Sequence, residues 1–263
     1  MIKRIFNVFP PILKIVIGSI MVQILRPFDF NQKIFSLSIK IKHTIGYYRV
    51  IKKGNIAIQG GIDYTYGTSF IEPISKAVGK KGIALGIEPS PNNIRFAKKR
   101  IKNNPHLNNI ILVEKAISNI KGEMSLLLGE KGTWNRIEEK LDVFSEKNMT
   151  DNKIKVKVDT IDNIIKEHNI NPQKICFVSL TINGQEYNGL KGMKNLLQVS
   201  NNISINVVAG RTNILGTIKG KTDTIIISEF LEKFGFQTKY IELKKGVMGY
   251  IMAKKGNSNF FMP

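Results

Sequence analysis

Residues 55–61 read Asn-Ile-Ala-Ile-Gln-Gly-Gly, and residues 83–89 read Ile-Ala-Leu-Gly-Ile-Glu-Pro. Each is a short apolar run that ends in glycine or polar residues, which is typical of a buried strand that enters a loop. Residues 68–78 between them have helical spacing, with Thr68 or Ser69 as the expected N-cap. A strand, a helix and a second strand of these lengths predict a parallel βαβ unit.

The alternation of strands and helices continues to the end of the chain. It predicts an α/β fold whose mostly parallel sheet is covered by helices on both faces. Residues 238–243 and 247–253 flank a Lys-Lys-Gly turn and predict a closing antiparallel hairpin. Ser90 and Asp159 are the expected N-caps of two helices. The further predicted strands are residues 110–114, 175–180 and 203–208, and the further predicted helices are residues 91–103, 160–168, 185–197 and 222–234.

Residues 115–158 interrupt this alternation. Residues 123–128 and 154–158 are predicted strands, and the polar stretch between them contains Trp134, the only tryptophan of the chain. A loop of this length inside a compact domain is usually functional or disordered. We expect this region to contribute to the choice of substrate.

Glycine and acidic residues follow the first two predicted strands, at the edge of the sheet where ligands bind. Gly60 and Gly61 allow a ligand to approach the backbone because they have no Cβ atom. Glu88 ends the second strand, where a carboxylate can accept hydrogen bonds from ribose hydroxyls. A glycine turn alone is a weak signal, but the two features together predict a nucleoside-containing cofactor. The Lys-Ser/Thr pair of a phosphate-binding loop does not follow the first strand, which argues against ATP or GTP hydrolysis.

Five short motifs, taken in order, resemble the FkbM-type methyltransferases. They extend over about residues 50–253, and their ordered combination is more specific than any one of them. The resemblance implies a seven-stranded Rossmann-like sheet of the class I methyltransferase type, S-adenosylmethionine as cofactor, and methylation of hydroxyl oxygens of sugars or natural products. The motifs are Gln59-Gly60-Gly61, Ile87-Glu88-Pro89-Ser90-Pro91, Val113-Glu114-Lys115-Ala116-Ile117-Ser118, Val158-Asp159-Thr160-Ile161-Asp162, and Asn183-Gly184-Gln185-Glu186 with Leu190-Lys191-Gly192.

The resemblance also implies a cofactor site. Gly61 and its neighbours would pass the methionine part of the cofactor, Glu88 followed by Pro89 would hold the ribose, and Ala116 would lie near the adenine. The neighbours of Gly61 that are assigned to the cofactor are Gln59, Gly60 and Asp63.

The chain departs from the family pattern at two of these motifs. The family's first strand usually ends in Asp, whereas this chain has Gln59, which can hydrogen-bond the cofactor but cannot pair ionically with its ammonium group. The fourth-strand motif is usually Lys-x-Asp-x-Glu-Gly-x-Glu, and residues 179–186 read Ser-Leu-Thr-Ile-Asn-Gly-Gln-Glu. Thr181, Asn183 and Glu186 therefore occupy the implied catalytic positions.

The loss of these acids leaves the acceptor without an obvious base. Methyl transfer is an in-line displacement that mainly requires proximity and alignment, and a base is needed only where the acceptor hydroxyl must lose its proton near attack. Asp63, Glu186 and His168 are the groups that would replace the lost acids. We expect no metal site, because no His, Asp or Glu cluster has metal-ligand spacing.

Residues 1–54 form a basic and apolar segment ahead of the predicted methyltransferase-like domain at residues 55–263. The segment holds ten Lys and Arg residues against one acid, Asp29. Ile5–Leu25 has a large aliphatic residue or Phe at 14 of 21 positions, but two prolines and a lysine inside it argue against a clean membrane span. We interpret the segment as helical, and its alternatives are docking on the domain, lying in a membrane interface or spanning the membrane.

Composition limits the partners without choosing among them. The apolar fraction of 42% excludes a disordered chain, and a single cysteine excludes a disulfide framework. The net charge of +20 favours anionic partners, and its densest part lies beside the apolar stretch. We therefore predict a cytoplasmic protein with an anionic membrane surface as a partner and a glycan, lipid or other small molecule as methyl acceptor.

Two alternatives remain open at this point. The altered fourth-strand motif is also typical of a methyltransferase-like scaffold that no longer catalyses transfer. The basic charge is also found in proteins that bind or modify RNA, but aromatic residues do not alternate with the basic ones here, which disfavours a nucleic-acid partner.

Overall fold

The computed structural model describes residues 43–63, 70–130, 132–138, 149–210, 222–244 and 248–262. Residues 1–42 of the predicted N-terminal segment and the predicted caps Thr68 and Ser69 lie outside the described residues. The helices are α1 (43–50), α2 (Ile71–Val78), α3 (Pro91–Lys102), α4 (Ile161–Glu167), α5 (Glu186–Lys191), α6 (Lys194–Val199) and α7 (Asp223–Glu232).

Eleven strands form two sheets in the described residues. Seven of them form the main sheet in the order β10-β11-β9-β8-β1-β2-β3, and the others form a smaller sheet in the order β4-β7-β5-β6. The strands are β1 (Ile56–Gly60), β2 (Ile83–Ile87), β3 (Ile110–Val113), β4 (Ala116–Ile117), β5 (Gly122–Gly129), β6 (Arg136–Ile137), β7 (Met149–Asp159), β8 (Ile175–Leu180), β9 (Ile203–Ala209), β10 (Gln237–Lys244) and β11 (Met248–Lys255).

The main sheet confirms the predicted mostly parallel α/β fold. Strands β9, β8, β1, β2 and β3 pair in parallel, and β1 lies between β2 and β8. The predicted hairpin is present, but β11 inserts between β9 and β10 and pairs antiparallel with both. Because β1, β2 and β8 are neighbours, their carboxyl ends meet at one point of the sheet edge, where parallel α/β sheets bind ligands.

The interruption at residues 115–158 builds the smaller sheet. The two predicted strands are present as β5 and the C-terminal part of β7, which pair antiparallel from Gly122 opposite Val158 onward. The two-residue strands β4 and β6 complete the sheet at its edges. This sheet leaves the main fold after β3 and returns to it before α4, so it stands beside the carboxyl ends of the main strands.

Several predicted helix ends differ from the structure. Ser90 caps α3 as predicted, because its side chain accepts a hydrogen bond from the backbone N–H of Asn93. The predicted cap Asp159 is wrong by one residue: Thr160 caps α4 through Asn163 N–H, and Asp159 instead accepts from Lys115. The predicted helix at 185–197 is two helices, α5 and α6, which are separated at Gly192 and Met193. Phe70 holds the N-cap position of α2 and makes no side-chain cap bond.

Helices cover both faces of the main sheet. Helices α1, α2 and α3 share one apolar cluster, in which Tyr47 of α1 is fully buried and stacks on Phe261 with ring centroids 5.0 Å apart. Helices α4 to α7 share the other apolar cluster. Residues 43–51 of the predicted N-terminal segment thus contribute side chains to the core. Among the described residues, no helix is long and apolar enough to span a membrane.

Candidate functional site

A cavity opens at the carboxyl ends of β1, β2 and β8. One side of it, which we call the strand-end wall, consists of residues from β1, β2, the turns after them and α3. The opposite side, which we call the insertion wall, comes from the smaller sheet and the turn that precedes β6. The residues of the strand-end wall are Gln59, Gly61, Ile62, Asp63, Phe70, Ile87, Glu88, Pro89 and Asn93, and those of the insertion wall are Leu126, Gly132, Asn135, Arg136 and Ile137.

Gln59 contributes an acceptor atom without a partner to the strand-end wall. Its side chain is 1% exposed, and its Nε2 donates to the carbonyl oxygens of Gly60 and Gly61 at 3.0 and 3.1 Å. These two bonds identify Nε2 as the donor, so that the remaining atom, Oε1, is the acceptor. Oε1 is buried and has no hydrogen-bond partner. Since an unsatisfied buried acceptor is costly, this atom suits a ligand that brings a donor, such as an ammonium group.

Gly61 turns the chain away from β1 in a conformation that favours glycine. Its φ is +84°, and a Cβ atom there would lie 2.1 Å from the carbonyl oxygen of Thr181. The same turn is fixed on both sides, because Gly61 N–H donates to Ile87 O at 2.9 Å and Thr181 N–H donates to Gly60 O at 3.1 Å. The glycine therefore lets three strand ends approach closely around the cavity.

Glu88 is held in the strand-end wall by three hydrogen bonds. It is 5% exposed, and its Oε2 accepts from Ile62 N–H at 2.8 Å. Its Oε1 accepts from Ser90 N–H at 3.0 Å and from Asn93 Nδ2 at 3.1 Å. Burial raises the pKa of Glu88 to about 7, although the three hydrogen bonds act in the opposite direction. The carboxylate is thus fixed in place and still has lone pairs for hydroxyl donors.

The loop after β8 connects the two walls. Residues Thr181, Ile182, Asn183 and Gln185 of this loop line the cavity. Asn183 has φ +51°, a backbone conformation that Asn adopts more readily than most residues. Its Nδ2 donates to the carbonyl oxygen of Asn135 at 2.8 Å. The Asn183 side chain therefore ties the insertion wall to the main sheet.

Glu186 holds this loop rather than lining the cavity. Its Oε1 accepts from Ile182 N–H at 2.9 Å, and its Oε2 accepts from Gly184 N–H at 2.7 Å. The side chain is 5% exposed and stands at the start of α5. Two backbone N–H groups of the loop are thereby satisfied by one carboxylate, which keeps Thr181 and Asn183 at the cavity.

The structure brings together most of the residues predicted for the cofactor and the acceptor. Six of the seven predicted cofactor residues line the cavity, and so do Thr181 and Asn183. The seventh, Gly60, lies behind the lining, where a Cβ atom would meet side chains of Ile117 and Leu180. The six lining residues are Gln59, Gly61, Asp63, Glu88, Pro89 and Ala116.

The three groups considered as a base lie in different places. Asp63 lines the cavity, Glu186 supports the loop after β8, and His168 is an exposed residue at the C-terminal end of α4. In the described part of the chain, no three His, Cys, Asp or Glu side chains come together in a way that suits a metal ion.

Sequence reasoning missed the cavity residues that the insertion provides. Arg136 is 4% exposed and brings a buried cation to the insertion wall, next to Asn135 and Ile137. Asn93 was also missed, although it follows Glu88 by five residues and its Nδ2 contacts both Glu88 Oε1 and, at 3.5 Å, Gly132 O. The only sequence signal for Arg136 was the polar stretch between the predicted strands at residues 123–128 and 154–158. It indicated a functional region but did not single out a residue.

Comparison with protein families identifies the chain. The model described as Methyltransferase FkbM domain matches residues 46–238. The chain belongs to the FkbM methyltransferase family. The predicted family and its methyltransferase activity are confirmed by this match.

Several solved structures are similar in fold to this chain. An FkbM methyltransferase from Methylobacillus flagellatus KT is 12% identical, with a TM-score of 0.48, over 92% of this chain and 60% of that chain. The O-methyltransferase TomG from Streptomyces achromogenes, solved with S-adenosylmethionine, is 13% identical, with a TM-score of 0.46, over 92% of this chain and 89% of that chain. A methyltransferase dependent on S-adenosylmethionine from Aquifex aeolicus is 13% identical, with a TM-score of 0.43, over 81% of this chain and 88% of that chain. A comparison with curated proteins finds no match.

Proposed function

We propose that this FkbM methyltransferase transfers the methyl group of S-adenosylmethionine to a hydroxyl oxygen of a glycan, a lipid or another small acceptor. The observation that carries the proposal is the shared cavity, in which Gln59 Oε1 and the Glu88 carboxylate stand on one wall and Thr181 and Asn183 stand in the loop that joins it to the other. The first pair suits the ammonium and ribose of the cofactor, and the second pair suits a polar acceptor.

The residues of the strand-end wall fit the cofactor. Gln59 Oε1 would accept a hydrogen bond from the methionine ammonium group, which supplies the donor that this buried atom lacks. Glu88 would accept from the ribose hydroxyls, and Ala116 would lie beside the adenine. The glycine turn at Gly61 would leave the backbone open to the methionine part. S-adenosylmethionine supplies an electrophilic methyl group when it is bound there.

The acceptor would be held between the loop after β8 and the insertion wall. Thr181 and Asn183 would orient its hydroxyl through hydrogen bonds, and alignment of this kind supplies most of what methyl transfer requires. Held in this way, the acceptor oxygen would face the methyl group that the bound cofactor supplies. We assign the released proton to Asp63, which is the one of the three considered groups that lines the cavity.

The proposed location follows from charge rather than from a spanning helix. The basic and apolar residues 1–54 would associate with the anionic cytoplasmic face of a membrane, where lipid and lipid-linked glycan acceptors are found. In this proposal the protein is peripheral, and the catalytic site lies in the folded domain, to whose core Tyr47, Val50 and Ile51 also contribute.

The test combines cofactor binding with transfer of a labelled methyl group. Calorimetry should show that the protein binds S-adenosylmethionine and that Glu88→Ala weakens this binding. Incubation with methyl-labelled cofactor and separate glycan, lipid and RNA fractions should place label in a glycan or lipid fraction as a base-stable ether. Binding without transfer to any fraction would favour the scaffold, and label in RNA alone would replace the proposed acceptor class.

A further inference from the structure

The two helical layers of the domain carry different surface charge. We call α1, α2 and α3 with the segments that connect them to the strands, residues 43–54, 70–82 and 88–109, the basic layer. Its exposed side chains include eleven Lys and Arg residues, whereas its two acids, Glu72 and Glu88, are both buried. The eleven exposed cations are Arg49, Lys52, Lys53, Lys76, Lys80, Lys81, Arg95, Lys98, Lys99, Arg100 and Lys102.

The opposite helical layer does not share this excess of positive charge. Helices α4 to α7 with the segments that flank them, residues 160–174, 184–202 and 222–236, expose three acids and four cations. The acids are Glu167, Glu229 and Glu232, and the cations are Lys166, Lys174, Lys194 and Lys233. Of the two helical layers in the described residues, one therefore carries most of the excess positive charge, and such a field attracts an extended anionic partner.

The exposed face of α3 combines charge with an apolar side chain. Lys98, Lys99 and Lys102 follow Arg95 by three, four and seven residues, so the four cations lie along one side of the helix. Phe96 stands beside these cations with 50% of its surface exposed, and the guanidinium carbon of Arg95 lies 5.6 Å from its ring centroid. Tyr48 of α1, which is 45% exposed, adds a second aromatic ring to the layer.

We infer that the basic layer is a docking surface for an anionic phospholipid bilayer. Lysine and arginine side chains gain from the surface potential of such a bilayer, and exposed Phe and Tyr rings favour its interface. The chain that precedes the layer supports this partner, because residues 1–42 enter it at α1 and include seven cations, one acid and the apolar stretch Ile5–Leu25. The inference extends the proposed membrane association from the N-terminal segment to the folded domain.

The position of the layer relates it to the cavity. His43, at the beginning of the described part of α1, stacks on Phe70 with ring centroids 4.3 Å apart. Phe70 lines the cavity and directly precedes α2. The basic layer thus borders the cavity at Phe70.

The experiment compares two charge-matched variants of the full chain. In the first, Lys98, Lys99 and Lys102 of the basic layer are changed to Gln; in the second, Lys166, Lys194 and Lys233 of the opposite layer are changed to Gln. Both lose three positive charges and keep helix-forming residues. Sedimentation with vesicles of phosphatidylglycerol and phosphatidylcholine measures binding, and vesicles of phosphatidylcholine alone report the contribution that does not depend on charge.

We expect the first variant to bind the anionic vesicles roughly 100-fold less tightly than the unchanged protein, since each cation near such a surface contributes about 1 kcal/mol. The second variant should stay within about threefold of the unchanged protein, because its charges lie beyond a Debye length from the bilayer. Equal losses in both variants, or no loss in the first, would overturn the inference. Binding of S-adenosylmethionine by both variants separates a failure of docking from a failure of the fold or of the cofactor site.

A single substitution separates a bilayer from an RNA partner. Phe96→Leu keeps an apolar side chain for the bilayer interface but removes the aromatic ring on which a base would stack. We expect this variant to retain vesicle binding to within about threefold, whereas Phe96→Ser should weaken it. Tight binding of a single-stranded RNA oligonucleotide that is lost in Phe96→Leu, with no binding to anionic vesicles, would assign the basic layer to nucleic acid instead.

Discussion

The strand-end wall of the cavity comes from one stretch of sequence, residues 59–93, whereas the insertion wall, residues 126–137, is connected to it by the loop at residues 181–185. In the strand-end wall, Glu88 accepts three hydrogen bonds from donors of its own wall, and Gln59 donates two and keeps one acceptor for a ligand. The insertion wall depends on bonds that cross to the main fold. The proposed cofactor side is therefore preorganised by local structure, and the proposed acceptor side by long-range contacts.

The largest expected effect comes from the strand-end wall. Glu88→Ala removes the proposed ribose acceptor and leaves Ile62 N–H, Ser90 N–H and Asn93 Nδ2 without it. Hydrogen bonds to a charged group contribute about 1.5–3 kcal/mol, so calorimetry should show S-adenosylmethionine bound about 100-fold less tightly. Glu72→Ala is the matched control, because this buried acid pairs with Arg100 outside the cavity. Equal affinity of the Glu88 variant and the unchanged protein would contradict the assigned role.

Acidification should weaken cofactor binding nearly as much as Glu88→Ala does. Burial raises the pKa of Glu88 to about 7 in the free protein, and ribose hydroxyls donate to the ionised carboxylate. Acidification below this pKa therefore removes the binding form, and the affinity should fall about thirtyfold between pH 8 and pH 5.5. Glu88→Gln, measured by the same calorimetry, should flatten this part of the profile. A slope that persists in Glu88→Gln would place the titrating group elsewhere.

A smaller effect is expected at Gln59. Gln59→Ala removes the acceptor proposed for the cofactor ammonium, and it also removes the donor to Gly60 O and Gly61 O. One hydrogen bond to a charged group predicts S-adenosylmethionine binding about tenfold weaker. Gln59→Glu keeps the side-chain length and offers a charged acceptor to the ammonium, so it should bind the cofactor more tightly than Gln59→Ala. If the two variants bind alike, Oε1 does not face the ammonium group.

The difference between the walls also explains which site residues were predictable. Gln59, Gly61 and Glu88 follow strands whose apolar runs are visible in the sequence, and a parallel sheet brings strand ends together at one edge. Asn135 and Arg136 were not predictable, because their place in the cavity depends on pairing between β5 and β6 and on a contact with Asn183, 48 residues away from Asn135.

The fold, like the site, was predictable from local sequence patterns only in part. Buried strand runs and helical spacing predicted the parallel α/β sheet, and the Lys-Lys-Gly turn predicted the hairpin of β10 and β11. The insertion of β11 between β9 and β10 is set by pairing across the sheet, as at Gly249 opposite Ala209, which no local pattern encodes. The misplaced cap also has a long-range cause: Asp159 and Thr160 are both good capping residues, and the ion pair with Lys115, 44 residues away, occupies Asp159.

The smallest change in cofactor affinity is expected from loss of the hydrogen bond between Asn183 and Asn135, which holds the insertion wall. Asn183→Ala removes the hydrogen bond to Asn135 O while leaving Glu88 and Gln59 in place, so S-adenosylmethionine affinity should change by less than about twofold, within the range of a distant neutral substitution. Amide exchange at Arg136 and Ile137 should increase, because a wall held by fewer bonds opens more often.

Asn183→Gly distinguishes the lost bond from backbone strain at the same position. Glycine accepts the φ of +51° without cost, whereas alanine is disfavoured there by about 1 kcal/mol. If the bond to Asn135 fixes the insertion wall, both variants should raise exchange at Arg136 and Ile137 to a similar extent, and Asn183→Ala alone should lower the melting temperature further. Faster exchange in Asn183→Ala only would show that loop conformation, and not the side-chain contact, joins the acceptor side of the cavity to the cofactor side.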